Sequence, residues 1–345
     1  TVLLQFRQKK RFIMSTLKDI ARTAGVSLAT ASRVLNGGKG ISQKTCDHVL
    51  QIAKDLNYIP NLSAKILAGK NSKMIGMIVP EIDSNYFAKI IFEVEHQLQK
   101  HGYFLLIANT QYQKEKEIQA LNTFCTYNVE GIFLTCTINN DILDEFSPIL
   151  KAQNIPMILL VARLHTNDYS YIMVDDEAGM SEAISYLKEK GYDRIGFIGD
   201  YILDTLRNHQ FIAALEKNGM DPSDNPIYSH PSMRFEQSGY ETMKRILKDP
   251  NRPRAFLAGY DDIAIGALRA LDEAGLSVPE DIAIIGNDNV RESSYLHKAL
   301  TTLSPPVVKM ARLGSEIMLR AVKGEEAGVI HHISLRPDLI IRETA

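Results

Sequence analysis

The sequence predicts an N-terminal all-α helix-turn-helix head joined to an α/β body of two parallel-sheet lobes, and three observations predict it. Charge is uneven: residues 1–71 carry 12 Lys/Arg against 3 Asp/Glu, while the rest carry 27 against 38, within a net charge of −2. Helix caps and apolar spacing in the head mark three short helices, with a glycine-containing turn between the first two. From Lys73 onward strand-like and helix-like segments alternate, the pattern of parallel sheets covered on both faces. A basic head on an acidic body suits a nucleic-acid-binding module attached to one that must not stick to phosphate.

At 345 residues the chain is long enough for two or three domains, with 45% hydrophobic and 23% charged residues. Its longest apolar runs, such as residues 74–80, are strand-length, so no membrane partner is expected. Cys46, Cys125 and Cys136 are odd in number and lack a Cys-x-x-Cys spacing, which argues against a disulfide scaffold or a thiolate zinc site and for a reducing cytoplasm. Residues 1–13, TVLLQFRQKKRFI, place their charges after the apolar stretch, the reverse of a signal peptide. Translation is expected to start at Met14, with residues 1–13 a mis-assigned start or a disordered tail.

Residues 14–60 read as the DNA-binding domain. Thr16 and Asp19 form a capping-box pair, and Leu17, Ile20, Ala21 and Ala24 follow helical spacing. Gly25 breaks that helix, and Ser27 caps a second, 28–36, that turns Ala31, Val34 and Leu35 inward. Ser42 caps a third helix running to about Leu56, ahead of Pro60. The second helix carries the groove-reading chemistry: Leu28 and Ala29 for thymine methyls, Thr30 and Ser32 for bases or phosphates, and Arg33 for a bidentate guanine contact. Thr16, Ser27 and Asn36 complete that candidate surface.

Asn61 can cap a helix of about eight residues closed by Gly69, too short to be stable alone in water. With STLKDIARTAGVSLATASRVLNGGKGIS, NYIPNLSAKILAGK and KMIGMIVP, the chain resembles the lactose/galactose repressor (LacI/GalR) family from about Thr16 to Glu343. The resemblance implies that 61–72 is a hinge helix and linker that orders on operator DNA, with Asn61 and Lys65 at the DNA and Leu67 as a minor-groove wedge. Such a wedge kinks a flexible step, so a palindromic operator with a central C-G step is implied. The implied assembly is a homodimer, with helices such as 87–100 at its face.

In the body, strands are expected at 74–79, 103–109, 131–135, 157–161, 172–174, 194–198, 255–258 and 281–286. Helices are expected at 87–100, 178–190, 206–218 and 263–274. IGMIVP at 75–80 echoes IGFIGD at 195–200, so two similar lobes with ligand space at the strand C-termini are predicted. The family resemblance implies a periplasmic-binding-protein-like body, 73–345, whose chain crosses between lobes three times. It gives a first lobe of about 73–171 plus 303–331 and a second of 172–302 plus 332–345.

A polyhydroxy effector needs planar hydrogen-bonding groups and an aromatic face. The candidates at strand ends are Tyr86, Phe87, Arg163, Asp176, Arg207, Asp261 and Asp288, and family position favours Arg207 and Asp288. An isolated acid at a strand end is usually a helix cap or turn former, a reading open for Asp261, and plain helix packing is the alternative for Phe87. Asp176 and Asp261 stand where the family more often has Asn, Gln210 replaces a usual Gly, and Pro305 lies near a frequent Gln. These departures leave the sugar's identity open.

His331-His332 fit a strand or surface better than a metal site, no Gly-x-Ser-x-Gly elbow or phosphate loop occurs, and Gly37-Gly38-Lys39-Gly40 reads as a flexible loop. No enzyme, metal or cofactor is nominated. The expected function is a repressor released from its operator by a sugar-like effector. The alternative is a corepressor-dependent member of the family, in which a purine or a phosphorylated carrier protein tightens DNA binding and Tyr86-Phe87 stack on a base. A transporter's solute-binding protein is opposed by the basic head.

Overall fold

Thr16 starts the first helix because its hydroxyl accepts from the Asp19 amide at 3.3 Å while the Asp19 carboxylate accepts from the Thr16 amide at 2.9 Å. This computed structural model describes residues 15–59, 71–135, 140–161, 166–202, 204–326 and 328–345. Helix α1 spans Leu17–Ala24 and stops at Gly25, whose φ of 64° lets the Gly25 and Val26 amides bond back to Arg22 and Ala21. Ser27 caps α2, Leu28–Leu35, and Ser42 caps α3, Gln43–Asp55. Asn57, at φ 47°, ends α3 by the same backbone device: its amide bonds Lys54 and that of Tyr58 bonds Ala53. The helix therefore stops before Pro60 and needs no proline to do so. Ile20, Ala21, Ala31, Val34, Val49 and Ala53 form the head's core, and Leu35 packs half-buried against it. Residues 1–14 and 60–70, with Asn61, Lys65 and Leu67 of the expected hinge helix, lie outside the described residues.

The chain divides into two units after Ser72, and the second holds two sheets. The first contains β1 (Met74–Val79), β2 (Phe104–Asn109), β3 (Gly131–Thr135), β4 (Met157–Leu160), β5 (Ser170–Val174) and β11 (His332–Leu335), all parallel, in the order β11-β5-β4-β3-β1-β2. The second contains β6 (Ile195–Ile198), β7 (Ile227–Tyr228), β8 (Ala255–Ala258), β9 (Ala283–Asn287), β10 (Thr301–Ser304) and β12 (Asp338–Ile340) in the order β12-β10-β9-β8-β6-β7. Only β12 is antiparallel to its neighbour there.

The two sheets wind alike, and the echoed strands β1 and β6 occupy equivalent second positions from the edge. Each carries a glycine under an aromatic ring: a Cβ on Gly76 would meet Phe124 at 2.4 Å, and one on Gly196 would meet Phe256 at 2.5 Å.

Helices α4 (Asn85–Gln99), α5 (Lys114–Thr126), α6 (Asn140–Ala152) and α11 (Val307–Val322) belong to the first lobe. Helices α7 (Asp176–Glu189), α8 (Asp204–Lys217), α9 (Phe235–Ile246) and α10 (Asp261–Glu273) belong to the second. Three boundaries differ from expectation. Residues 172–174 and 332–335 pair within the first sheet, and 303–304 within the second, so each crossing comes a few residues later than the sequence placed it. A strand's sheet is decided by its partners, which its own residues do not reveal. The strand C-termini at Val174, Ser304 and Leu335 therefore lead directly into the crossings.

Candidate functional site

Two surfaces carry the chemistry. On α2, Leu28 is 44% exposed, Ala29 and Arg33 are exposed, and Thr30 and Ser32 are half-buried, while Ala31 and Val34 anchor the opposite face. Helical periodicity separates the two sets. Thr16 and Ser27 act as caps, the Ser27 hydroxyl accepting from the Thr30 amide at 3.0 Å. Asn36 folds back, its amide donating to the Ser32 carbonyl at 2.7 Å. Gly38, in the loop expected to be merely flexible, has a definite task. Its amide donates to the Arg33 carbonyl at 2.8 Å, and a Cβ there would lie 2.3 Å from Arg33 Cγ. The Arg33 stem rests against bare backbone, which directs the side chain.

In the body, a pocket of about 430 Å³ opens between the lobes, within the ~300–1,000 Å³ range of small-molecule sites. Tyr86, Asp176, Arg207 and Asp288 all line it. Asp288 follows β9 at φ 111°, in the left-handed region, where a non-glycine residue persists only because its surroundings hold it. Its amide donates to the Leu303 carbonyl at 2.8 Å, and its Oδ1 accepts from the Asn287 amide at 3.1 Å. Burial raises its carboxyl well above the usual range; the Arg207 charge opposes this, and Asp261, Asp262 and Asp176 add to it. Arg207, on α8, is 7% exposed, donates to the Gly259 carbonyl at 2.7 Å, and lies 5.1 Å from the Tyr260 ring centroid. A buried acceptor and a buried fork of donors thus line one cavity, with Tyr86 as an aromatic wall.

Two sequence candidates go elsewhere. Phe87 is 5% exposed and belongs to the first lobe's core, its ring 5.4 Å from that of Tyr86 in a T-shaped pair. Helix geometry turns consecutive residues about 100° apart, so one faces the pocket and the next the core. Asp261 is fully buried; it accepts from the Thr302 hydroxyl at 2.6 Å and the Val290 amide at 2.9 Å, a clamp on the loop that bears Asp288. Arg163 lies outside the described residues. Of the four positions where the chain departs from the family pattern, Asp176, Gln210 and Pro305 line the pocket and Asp261 does not.

Sequence reasoning missed Tyr171, Met173, His332 and Ser334, which also line it. Tyr171 and His332 face each other across β5 and β11, their rings stacked 4.4 Å apart at 13°. Only strand register brings them together. His331 instead meets Glu326 at 3.0 Å. Among the described residues no group of three or more metal-ligating side chains converges, and no helix is long and apolar enough to cross a membrane.

Residues 16–61 match the bacterial regulatory proteins of the lacI family, and residues 184–345 match a periplasmic binding protein-like domain. The HTH-type transcriptional repressor PurR of Haemophilus influenzae (strain PittEE) is 34% identical over 339 residues, spanning 96% of this chain and 98% of that protein. The chain belongs to the lacI family. The PurR repressor of Serratia proteamaculans (strain 568) is 32% identical over 96% of this chain and 97% of its own. Among solved structures, the lac repressor dimer bound to operator and the anti-inducer ONPF superposes with a TM-score of 0.83 at 25% identity, over 96% of this chain and 99% of that one. A lacI-family regulator from Silicibacter pomeroyi superposes equally well, with the same identity and coverage. As a lacI-family member the chain is a DNA-binding transcriptional repressor and not an enzyme. Helix α2 lies within the lacI-family match, and Arg207, Gln210, Asp288 and Pro305 of the pocket lie within the periplasmic binding protein-like match.

Proposed function

We propose that this lacI-family chain is a corepressor-dependent repressor: a homodimer whose hold on a two-fold operator tightens when a small planar heterocycle of the purine class fills the inter-lobe pocket. The observation that carries this reading is that buried Asp288 and buried Arg207 line one cavity walled by Tyr86. A purine base offers ring N–H donors to a carboxylate, a carbonyl or ring nitrogen to a guanidinium, and a π-face to an aromatic ring. Buried polar groups left without such partners are costly, so the pocket discriminates by what satisfies them. The relatives at 32–34% identity over nearly the whole chain carry the name PurR, which supports this reading over release by a sugar.

On the DNA side, Leu28, Ala29, Thr30 and Arg33 would enter the major groove, and a two-fold dimer meets a palindrome. Support for a dimer face comes from the first lobe's edge strand β2 and nearby α4, where Phe92, 64% exposed, lines one surface hollow with exposed Ile82 and Ile107. An apolar patch of that kind marks an interface. Leu67 as a minor-groove wedge and the central C-G step belong to the same proposal.

Linkage is reciprocal: a ligand that tightens operator binding must itself bind more tightly to the operator-bound protein. Calorimetric titration of guanine, hypoxanthine, ribose and lactose into the full chain tests the ligand class. Binding of a purine base that Asp288→Ala abolishes supports the reading. Binding of a sugar with no response to either purine overturns it.

A further inference from the structure

A second set of buried charges lies between the lobes, outside the pocket lining. Glu81 follows β1 in the first lobe, whereas Arg234 caps α9 and Asp200 follows β6 in the second. The Arg234 guanidinium donates to Asp200 Oδ2 through Nε at 2.9 Å and to Glu81 Oε1 through Nη1. Their side chains are only 17%, 1% and 8% exposed, for Arg234, Asp200 and Glu81 respectively. Buried charges of this kind persist because they are paired.

Two rings close around the guanidinium: Phe235 of the second lobe at 4.5 Å and Tyr112 of the first at 5.7 Å. Tyr112 packs against the cores of both lobes. Three non-glycine residues at this contact, Gln111, Tyr112 and Phe235, have φ between 52° and 58°. Bulky residues adopt that region only where their surroundings impose it. A second polar contact crosses the same gap, where the Asn85 amide donates to Asp262 at 3.5 Å.

We infer that Glu81, Arg234 and Asp200 form a clasp that holds the two lobes together beside the pocket, making Glu81 and Arg234 positioning residues for the effector site. The three charges divide unequally. Asp200 and Arg234 share a lobe and stay paired when the lobes part, so Arg234 remains neutralised and aimed. Within the clasp, opening breaks the Glu81 contact and the Tyr112 stacking, and Glu81 moves into water. The clasp is therefore separable without leaving the buried Arg234 unpaired. That is what a reversible closure requires, and a guanidinium fork serves it because it reaches two carboxylates at once. Closing the lobes in advance lowers the ordering that a ligand must impose.

The inference holds whichever ligand fills the pocket, and its test uses none. Hydrogen exchange of the full ligand-free chain is followed by mass spectrometry at the cleft segments 171–177 and 286–292, with β8 as an internal reference for global stability. Glu81→Gln keeps the shape and removes the charge. Arg234→Lys keeps a charge beside Asp200 but not the fork. Each is expected to speed exchange at both cleft segments about tenfold, the factor that 1.4 kcal/mol represents. The β8 rate should not change, and the double variant should do no more than either alone, because both break one contact. Cleft exchange at the wild-type rate in Glu81→Gln would overturn the clasp. So would equal acceleration in β8, which would mark Glu81 as a general packing residue, or additive effects in the double variant.

Discussion

Thr302 donates a 2.6 Å hydrogen bond to Asp261, whose other oxygen accepts from the Val290 amide at 2.9 Å. This buried carboxylate ties β10 to the loop after β9, two residues beyond Asp288. Gly286 belongs to the same arrangement, since a Cβ there would lie 2.1 Å from Asp261 Oδ1. The acid therefore acts on the pocket without lining it.

Replacing Asp261 should consequently loosen the loop and weaken the pocket together. Asp261→Ala leaves the Val290 amide and the Thr302 hydroxyl without their acceptor, a loss of about 1–3 kcal/mol in stability. Urea denaturation of the full chain should show that loss in the body's transition, and purine affinity should fall with it. A stable variant with unchanged ligand affinity would remove Asp261 from this role.

Asp288 is the sharper probe of the site itself. Asp288→Ala should retain operator binding yet no longer respond to ligand, with ligand affinity reduced by about 2 kcal/mol or more, roughly 30-fold. Calorimetry and operator binding on the same preparation check both halves of the statement. A normal ligand response in this variant would mean that the ligand binds elsewhere.

A pH dependence follows from Asp262, which burial, with repulsion from Glu236 and Glu292, raises to about 6 against the help of Asn85. The folded carboxyl holds its proton more tightly than the unfolded one, whose value is near 3.8. Its contribution to stability is thus complete below about 3.8 and is lost as pH rises through about 6. Asp262→Asn removes the charge, so at pH 7.5 it should stabilise the body by about 2 kcal/mol, a gain that shrinks toward pH 4. Denaturation at the two pH values measures this, and a gain independent of pH would contradict it.

On the head, Arg33→Ala should relax base preference at one operator position by about 1–3 kcal/mol. Gly38→Ala should act in the same direction, because the added methyl displaces the Arg33 stem. Selection from randomised duplexes at fixed salt reports both. Uniform weakening across all sequences would instead assign Arg33 to a phosphate.

What was legible in the sequence was local. The caps at Thr16, Ser27 and Ser42 announce their helices because a hydroxyl and an amide three residues on suffice to make one. Strand β1 was legible because a strand buried on both faces reads as a continuous apolar run. The less legible features all depend on distant partners. Asp261 looks like a pocket acid until Thr302, 41 residues away, takes its oxygen. Tyr171 and His332 acquire a shared role only through the β5–β11 register. The lobe crossings slipped by a few residues because each of those strands could be assigned only from its neighbours. The Glu81–Arg234 contact, between residues 153 apart, left no sequence signal at all.

The sign of the coupling between pocket and operator separates a corepressed from an induced repressor. A change of population from 1:99 to 99:1 requires roughly 5.5 kcal/mol of differential binding, and hydrogen bonds to Asp288 and Arg207 are where a purine would supply it. The most direct measurement is the affinity of the full chain for its selected palindrome, at fixed near-physiological salt, with and without a saturating purine base such as hypoxanthine or guanine. Affinity should rise with the purine in wild type and stay constant in Asp288→Ala. A fall in affinity on adding ligand, or tightening that survives in Asp288→Ala, would contradict it.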